Sequence, residues 1–254
     1  MTYDVIIVGG GPAGLFAAYH LVEHAGLKVL LIERGERPQK RKCPISKVQK
    51  CAQCDPCNIL SGIGGAGLYS DGKLNFIPRL GKTDLTQFMP MPQAQALINE
   101  TEEIFTRFKM DAKVFPTNMD EASIIRKEAK RFGINLLLIR QKHLGSDNLP
   151  GYITEMADYI ESKGLEIRTG ENVTDIIEKD GVIQGVVADK RDYHARNVIL
   201  APGRIGANWM SSLALKHGIE LSQRGIEVGV RVEVHNDMSV IFLNFILFVE
   251  IARL

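Results

Sequence analysis

The run Gly9-Gly10-Gly11-Pro12-Ala13-Gly14 follows directly on Asp4-Val5-Ile6-Ile7-Val8, and Glu33 closes a second apolar run, Lys28-Val29-Leu30-Leu31-Ile32. Strand, glycine turn, helix, strand and acid in this order can hold an adenine dinucleotide. Gly9 permits the tight turn, Gly11 lets the backbone approach a pyrophosphate, and Gly14 lets the helix lie close to the strand. Pro12 and Ala13 open the helix, where the missing proline N–H is no loss. The free N–H groups and positive dipole end then face the phosphates. Glu33 is set to accept hydrogen bonds from the ribose hydroxyls. Its charge argues against a 2′-phosphate, although Arg34 beside it keeps that open.

A second candidate chemistry lies in Cys43, Cys51, Cys54 and Cys57, which are all the cysteines of the chain. C-x2-C-x2-C with an outlying fourth thiol suits an Fe–S ligand set and, less regularly, zinc. Clustered thiols in a cytosolic chain rarely mean structural disulfides. A redox-active pair and four unligated loop thiols remain open beside the metal reading. The next segment carries five glycines between positions 62 and 72. Backbone there approaches something closely or turns sharply. A surface loop is the alternative, but Ile63, Ala66 and Leu68 argue against a merely solvated linker. His143, His194, His217 and His235 stand isolated, so no general acid or base is assigned.

The elements needed to position these residues are legible as patterns. Helical periodicity covers 93–108, with Ala96, Leu97, Ile104, Phe105 and Phe108 on one face. A further helix is expected over 120–132 and a strand over Ile134–Ile139. Tyr152–Lys163 reads as an amphipathic helix stopped by Gly164, and Leu165–Thr169 as a strand. Val173–Glu178 and Val182–Ala188 form a hairpin around Lys179-Asp180-Gly181, and Asn197–Leu200 is a buried strand running into Ala201-Pro202-Gly203-Arg204. The fold class is therefore α/β: a Rossmann-like domain, with a parallel sheet, helices and a β-hairpin or meander, interrupted by a partial α+β domain. The expected boundaries are 1–80 and 151–218 for the nucleotide domain, 81–150 for the insertion, and 219–254 for a returning strand and tail.

The 254 residues are 45% hydrophobic and 24% charged, with formal net charge +1. This is soluble globular composition, with no charge excess to suggest nucleic acid or an anionic membrane as partner. The N-terminus enters a strand at once without a secretory signal, so the expected location is cytoplasmic. The apolar run Val240–Val249 is shorter than the ~20 residues a membrane-spanning helix takes.

Three segments together resemble the two-dinucleotide-binding-domain flavoproteins, most closely an uncharacterised FAD-dependent dehydrogenase family. They are the N-terminal fingerprint with Glu33, the string Ser61-Gly62-Ile63-Gly64-Gly65-Ala66-Gly67-Leu68-Tyr69-Ser70-Asp71-Gly72-Lys73-Leu74, and Val198-Ile199-Leu200-Ala201-Pro202-Gly203-Arg204. The resemblance implies FAD, with its adenosine half on the βαβ unit and its flavin towards the inserted domain. It implies that the Val173 backbone meets the adenine edge and that Ala201 and Gly203 approach the cofactor from the other side. Gly64, Gly65, Ser70, Asp71 and Gly72 would line the pyrophosphate and flavin. Asp71 and Lys73 would tune its potential, and Arg204 would balance its charge.

The activity implied is transfer of hydride or electrons through the flavin to or from an unknown small molecule. NAD(P)H is a candidate electron source, although only one fingerprint is present. The resemblance covers roughly residues 3–234, Gly225–Val234 fitting a returning strand, and stops after His235. The chain contains no Gly-Asp dipeptide of the kind such families place late to hold FAD. It is therefore expected to be a truncated form of a longer enzyme. Two further readings stay open: a non-catalytic nucleotide-binding remnant, and an electron-transfer module in which an Fe–S cluster feeds FAD.

Overall fold

The computed structural model describes residues 2–222 apart from Ala25, Lys82 and Ser146, together with 248–250. It divides into two compact units, Met1–Ser70 with Ser146–Gln223, and Asp71–Gly145 with Arg224–Leu254. The returning strand expected over Gly225–Val234 lies outside the described residues.

The first unit is built on a six-stranded sheet in the order Val173–Lys179, Val182–Ala188, Asp192–Leu200, Thr2–Val8, Val29–Glu33, Glu166–Thr169. The last four of these run parallel. Thr2–Val8 and Val29–Glu33 lie at the centre of the parallel part, and Ile6, Ile7, Leu30, Leu31 and Ile32 are buried almost completely. Strands covered on both faces read as unbroken apolar runs, as these two do. The helix Pro12–His24 packs Leu15, Ala18 and Tyr19 inward, and the helix Leu149–Ser162 packs Ile153, Met156, Ala157 and Ile160. The rings of Tyr19 and Tyr159 stack between them at 6.1 Å.

Asp192–Leu200 is longer than the strand expected at 197–200. Asp192–His194 pairs antiparallel with Val182–Ala188, and most of the strand's length pairs parallel with Thr2–Val8. The hairpin thus becomes a three-stranded meander fused to the parallel sheet. Tyr193 and Ala195 alternate inward in the cluster that holds Tyr3, Val173 and Val186. Period-two alternation carries this segment rather than an apolar run.

At the far end of the sheet the Tyr3 hydroxyl donates to Glu166 at 2.6 Å. Burial first, and then the Glu166 carboxylate, pushes the Tyr3 phenol up to about 12. A raised phenol pKa favours the folded state below the ordinary tyrosine value, and the benefit disappears as pH rises from about 10 to about 12. Alkaline unfolding is therefore expected to lose about 1–2 kcal/mol across that window. Tyr3→Phe should flatten this slope in denaturant titrations, and an unchanged slope would count against the assignment.

In the second unit Gln141–His143 lies between Lys73–Asn75 and Val114–Phe115, antiparallel to both. The helices Met91–Arg107 and Met119–Arg131 flank Val114–Phe115 in sequence, close to the expected spans. Asn118 caps the second helix, accepting from the N–H groups of Asp120 and Glu121. The run expected to be a strand over 134–139 is one only at Asn135–Leu137, where it pairs antiparallel with Phe248–Glu250. Those three residues are the described part of the apolar tail. Lys142 is buried and held between Asp111 at 2.6 Å and Glu102 at 3.1 Å. No helix among the described residues is long and apolar enough to cross a membrane.

Candidate functional site

Four loops leave the C-terminal ends of the parallel strands side by side. Gly9 donates its N–H to Ile32 O, Ala201 to Val8 O, Glu171 to Glu33 O, and Gly170 to Gly35 O. The chain moves outward from Thr2–Val8 to Val29–Glu33 on one side and to Asp192–Leu200 on the other. Ligands of open α/β sheets sit at such a switch point, outside the carboxyl ends of the strands.

Two fingerprint glycines are required by the protein's own packing. Gly9 has φ +108°, and a Cβ there would lie 2.2 Å from Ala201 O. A Cβ on Gly14 would lie 1.9 Å from Gly9 O, so the helix could not sit this close to the strand end. Gly11 differs. A Cβ there would meet nothing nearer than the Gly65 Cα at 3.8 Å, so the protein itself has room for a side chain. Bare backbone at Gly11 serves whatever lies in front of the turn. Pro12 and Ala13 are partly or fully exposed at the head of the helix.

Glu33 is only 6% exposed. Its Oε2 accepts from Gly10 N–H at 2.7 Å, and its Oε1 accepts from Gly35 and Gly62 N–H, both at 2.8 Å. The carboxylate therefore ties the fingerprint turn, the end of its own strand and the later glycine loop to one point. A carboxylate offers about four lone-pair sites, so about one is left for a ligand hydroxyl. Arg34 turns outward to Asp55 at 2.6 Å.

The loop of residues 58–65 lies against the fingerprint. Gly64 donates to Gly10 O at 2.8 Å, and a Cβ on Gly65 would come within 3.1 Å of the Gly11 Cα. Arg41 holds this loop from behind. It is buried, and its guanidinium donates to Asn58 O at 3.0 Å, Ile59 O at 2.8 Å, Ile63 O at 2.9 Å and Gly65 O at 2.9 Å. It also lies 5.1 Å from the Tyr69 ring centroid, and the Tyr69 hydroxyl donates to Arg41 O. Burial pushes the Arg41 guanidinium below its ordinary value, opposed by Tyr69, Glu33 and Cys57. Ser61, 3% exposed, sits in the same loop with no hydrogen-bond partner for its Oγ.

Sequence reading missed both Arg41 and Ser61. Arg41 stands in the basic run Lys40-Arg41-Lys42, which looks like a solvated surface. Ser61 was only the first letter of a glycine string.

The remaining candidates distribute as follows. Val173 is buried and pairs with Ala188 at the start of the meander. Gly203, with φ +64°, follows Ala201 and Pro202. Ser70 ends the first unit, and Asp71 and Gly72 begin the second. There the Asp71 carboxylate pairs with Lys73 at 2.8 Å. Desolvation opposes ionisation of Asp71, but Lys73 and His143 together hold its carboxyl below the usual range. Cys43 and Cys57 are half-buried, Cys51 and Cys54 are exposed, and all four thiols are free. Among the described residues no three His, Cys, Asp or Glu side chains converge as a metal site.

The open space at Gly11 and the orphaned hydroxyl of Ser61 fit a polar ligand lying across the sheet's carboxyl edge. Residues 4–41 match the family described as FAD dependent oxidoreductase. The chain is 25% identical over 229 residues to an uncharacterized protein of Clostridium beijerinckii, covering 90% of this chain and 36% of that protein. It is 27% identical over 241 residues to protein FixC of Escherichia coli, covering 94% and 45%. The chain thus spans less than half the length of these curated relatives. A form of L-amino acid deaminase from Proteus vulgaris, with its specific insertion deleted, superposes with TM-score 0.50 at 17% identity. That match covers 86% of this chain and 57% of the deaminase, and it shows the fold. The N-terminal segment is thus similar to FAD-dependent oxidoreductases, and FAD is the dinucleotide that the Rossmann-like unit is built to hold.

Proposed function

We propose that this chain binds FAD for a dehydrogenase-like reaction, in which hydride or an electron pair passes between a small-molecule donor and an acceptor. One observation carries the reading: the Gly9–Gly14 turn, Glu33, the 58–65 loop and Ala201–Gly203 meet at one edge of the parallel sheet. The flavin supplies the redox chemistry, and the protein supplies binding, orientation and tuning. In this reading the Gly11 backbone and the N-terminal turn of Pro12–His24 receive the diphosphate. The remaining acceptor site of Glu33 takes a ribose hydroxyl, and the Val173 backbone meets the adenine. Gly64 and Gly65 border the diphosphate. Ser70, where the first unit's N-terminal segment ends, follows towards the flavin. NAD(P)H is the proposed electron source.

The test is a titration of the purified chain with FAD, followed by anaerobic addition of NADH or NADPH. A one-to-one complex whose flavin band bleaches supports the proposal. No binding of FAD ends it, and binding without bleaching removes the nicotinamide donor.

Ser61 offers a sharper check. A buried hydroxyl without a partner costs about 1–3 kcal/mol. Ser61→Ala should therefore stabilise the FAD-free protein by about 1 kcal/mol while weakening FAD roughly fivefold, the worth of one hydrogen bond. Parallel thermal melts and FAD titrations read the two signs separately. A change of the same sign in both would sink the ligand role.

A further inference from the structure

The loop in front of Gly11 is held by two opposite charges from two sides. Glu33 takes the N–H of Gly62, and Arg41 takes the carbonyls of Asn58, Ile59, Ile63 and Gly65. A trans peptide is planar, so its N–H points opposite to its carbonyl. Four carbonyls drawn to one guanidinium therefore turn the following N–H groups, including that of Ala66, away from Arg41. Gly65 lies against Gly11 on that outer side, which is the side of the dinucleotide turn. The two clamps differ in kind. The carboxylate gathers donors from the fingerprint, its own strand and the loop, whereas the guanidinium gathers acceptors from the loop alone.

No carboxylate is hydrogen-bonded to this buried guanidinium; its bonds all go to main-chain carbonyls. Burying a cation is costly unless it is well hydrogen-bonded or close to negative charge. Neutral carbonyls supply the bonds but no net charge, and Glu33 acts on the guanidinium only through space. The N–H groups of Leu60 and Gly64 already go to Cys57 O and Gly10 O, so an anion lying across Gly11 would add negative charge and would meet the N–H of Ala66.

Resting on the FAD reading above, we propose that Arg41 is a positioning residue for the dinucleotide's diphosphate. It does so without touching the cofactor, by fixing the peptide orientations of residues 58–65 and adding positive potential behind them. A lysine cannot reproduce this, because its ammonium lacks the planar fork that reaches four carbonyls. The role makes a specific demand on affinity. Loss of Arg41 should hurt ligands in proportion to the charge they place across Gly11, and should spare the adenosine half.

The experiment compares FAD, ADP-ribose and adenosine in titrations of wild type, Arg41→Lys and Arg41→Met. Expected are losses on the order of 100-fold for FAD and ADP-ribose in Arg41→Met, and roughly 30-fold in Arg41→Lys, with adenosine within threefold of wild type. Should Arg41→Met fail to fold, Arg41→Lys and Tyr69→Phe, which removes one brace on the arginine, carry the comparison. Tyr69→Phe should then weaken FAD more than adenosine. Equal losses for all three ligands would show a merely structural role and overturn the proposal, as would unchanged FAD affinity. Wild type that binds adenosine but not FAD would overturn the FAD reading itself, and this proposal with it.

Discussion

Gly14→Ala should abolish FAD retention and destabilise the first unit by about 2–4 kcal/mol. The added methyl would fall 1.9 Å from Gly9 O and 3.4 Å from the Ile7 side chain. The first of these neighbours is backbone and cannot swing away, so the helix Pro12–His24 must lift from the sheet. Lifting it carries the N–H groups of its first turn off the diphosphate. Stability and binding are then lost together. Gly151→Ala is the matched control. It lies in the helix Leu149–Ser162, and a Cβ there meets nothing within 4 Å. Alanine in place of a helical glycine is worth about 0.5–1 kcal/mol, so this variant should melt slightly higher and bind FAD as wild type does. Equal melting curves for the two variants would show that the glycine at 14 is a matter of sequence habit and not of space.

The second large effect is expected at Glu33. Glu33→Gln keeps the size of the side chain but replaces one acceptor oxygen with a donor NH2. Three N–H groups, from Gly10, Gly35 and Gly62, converge on the carboxylate. Whichever way the amide turns, at least one of them then faces another donor. A buried donor left unpaired costs about 1–3 kcal/mol, and the lost charge-assisted bonds add to it. The FAD-free protein should lose about 3 kcal/mol in urea titrations, and FAD affinity should fall on the order of 100-fold. The distinguishing point is that the stability loss is expected without any cofactor. If Glu33 served only as a ribose acceptor, the FAD-free protein would be untouched by the change.

These two residues mark what the amino-acid order makes legible. Gly14 was readable because its clash is with Gly9 O, a steric limit within a few residues that does not depend on the rest of the fold. The helices at 91–107 and 119–131 were readable for a similar reason, since a periodic face survives without knowing its partner. Glu33 was half readable. Its place at a strand end pointed to a ligand, but its three backbone donors come from loops up to 29 positions away. Arg41 was not readable at all. Its partners are main-chain carbonyls, which every residue possesses, so no side-chain pattern records them. The segment Asp192–Arg196 misled for a third reason: it alternates burial over polar residues, and its partners on both sides, Val182–Ala188 and Thr2–Val8, make it a strand. The cysteines show the converse. Their spacing is conspicuous in the chain, while among the described residues no three His, Cys, Asp or Glu side chains converge.

The parallel pairing of Thr2–Val8 with Asp192–Leu200 also has a consequence for how the protein is made. Thr2 faces His194 and Val8 faces Leu200 across this pair. During synthesis the first strand can acquire its neighbour Val29–Glu33 early, but its other edge waits for a partner about 190 residues later. At roughly 5–20 residues per second that wait is on the order of 10–40 s. Ala201, which closes over Gly9, emerges later still. The nascent chain therefore carries a dinucleotide turn with one wall throughout that interval, its central strand exposed along one edge. Chaperone occupancy during translation should be greatest in that interval, and it should fall once residue 201 has cleared the exit tunnel.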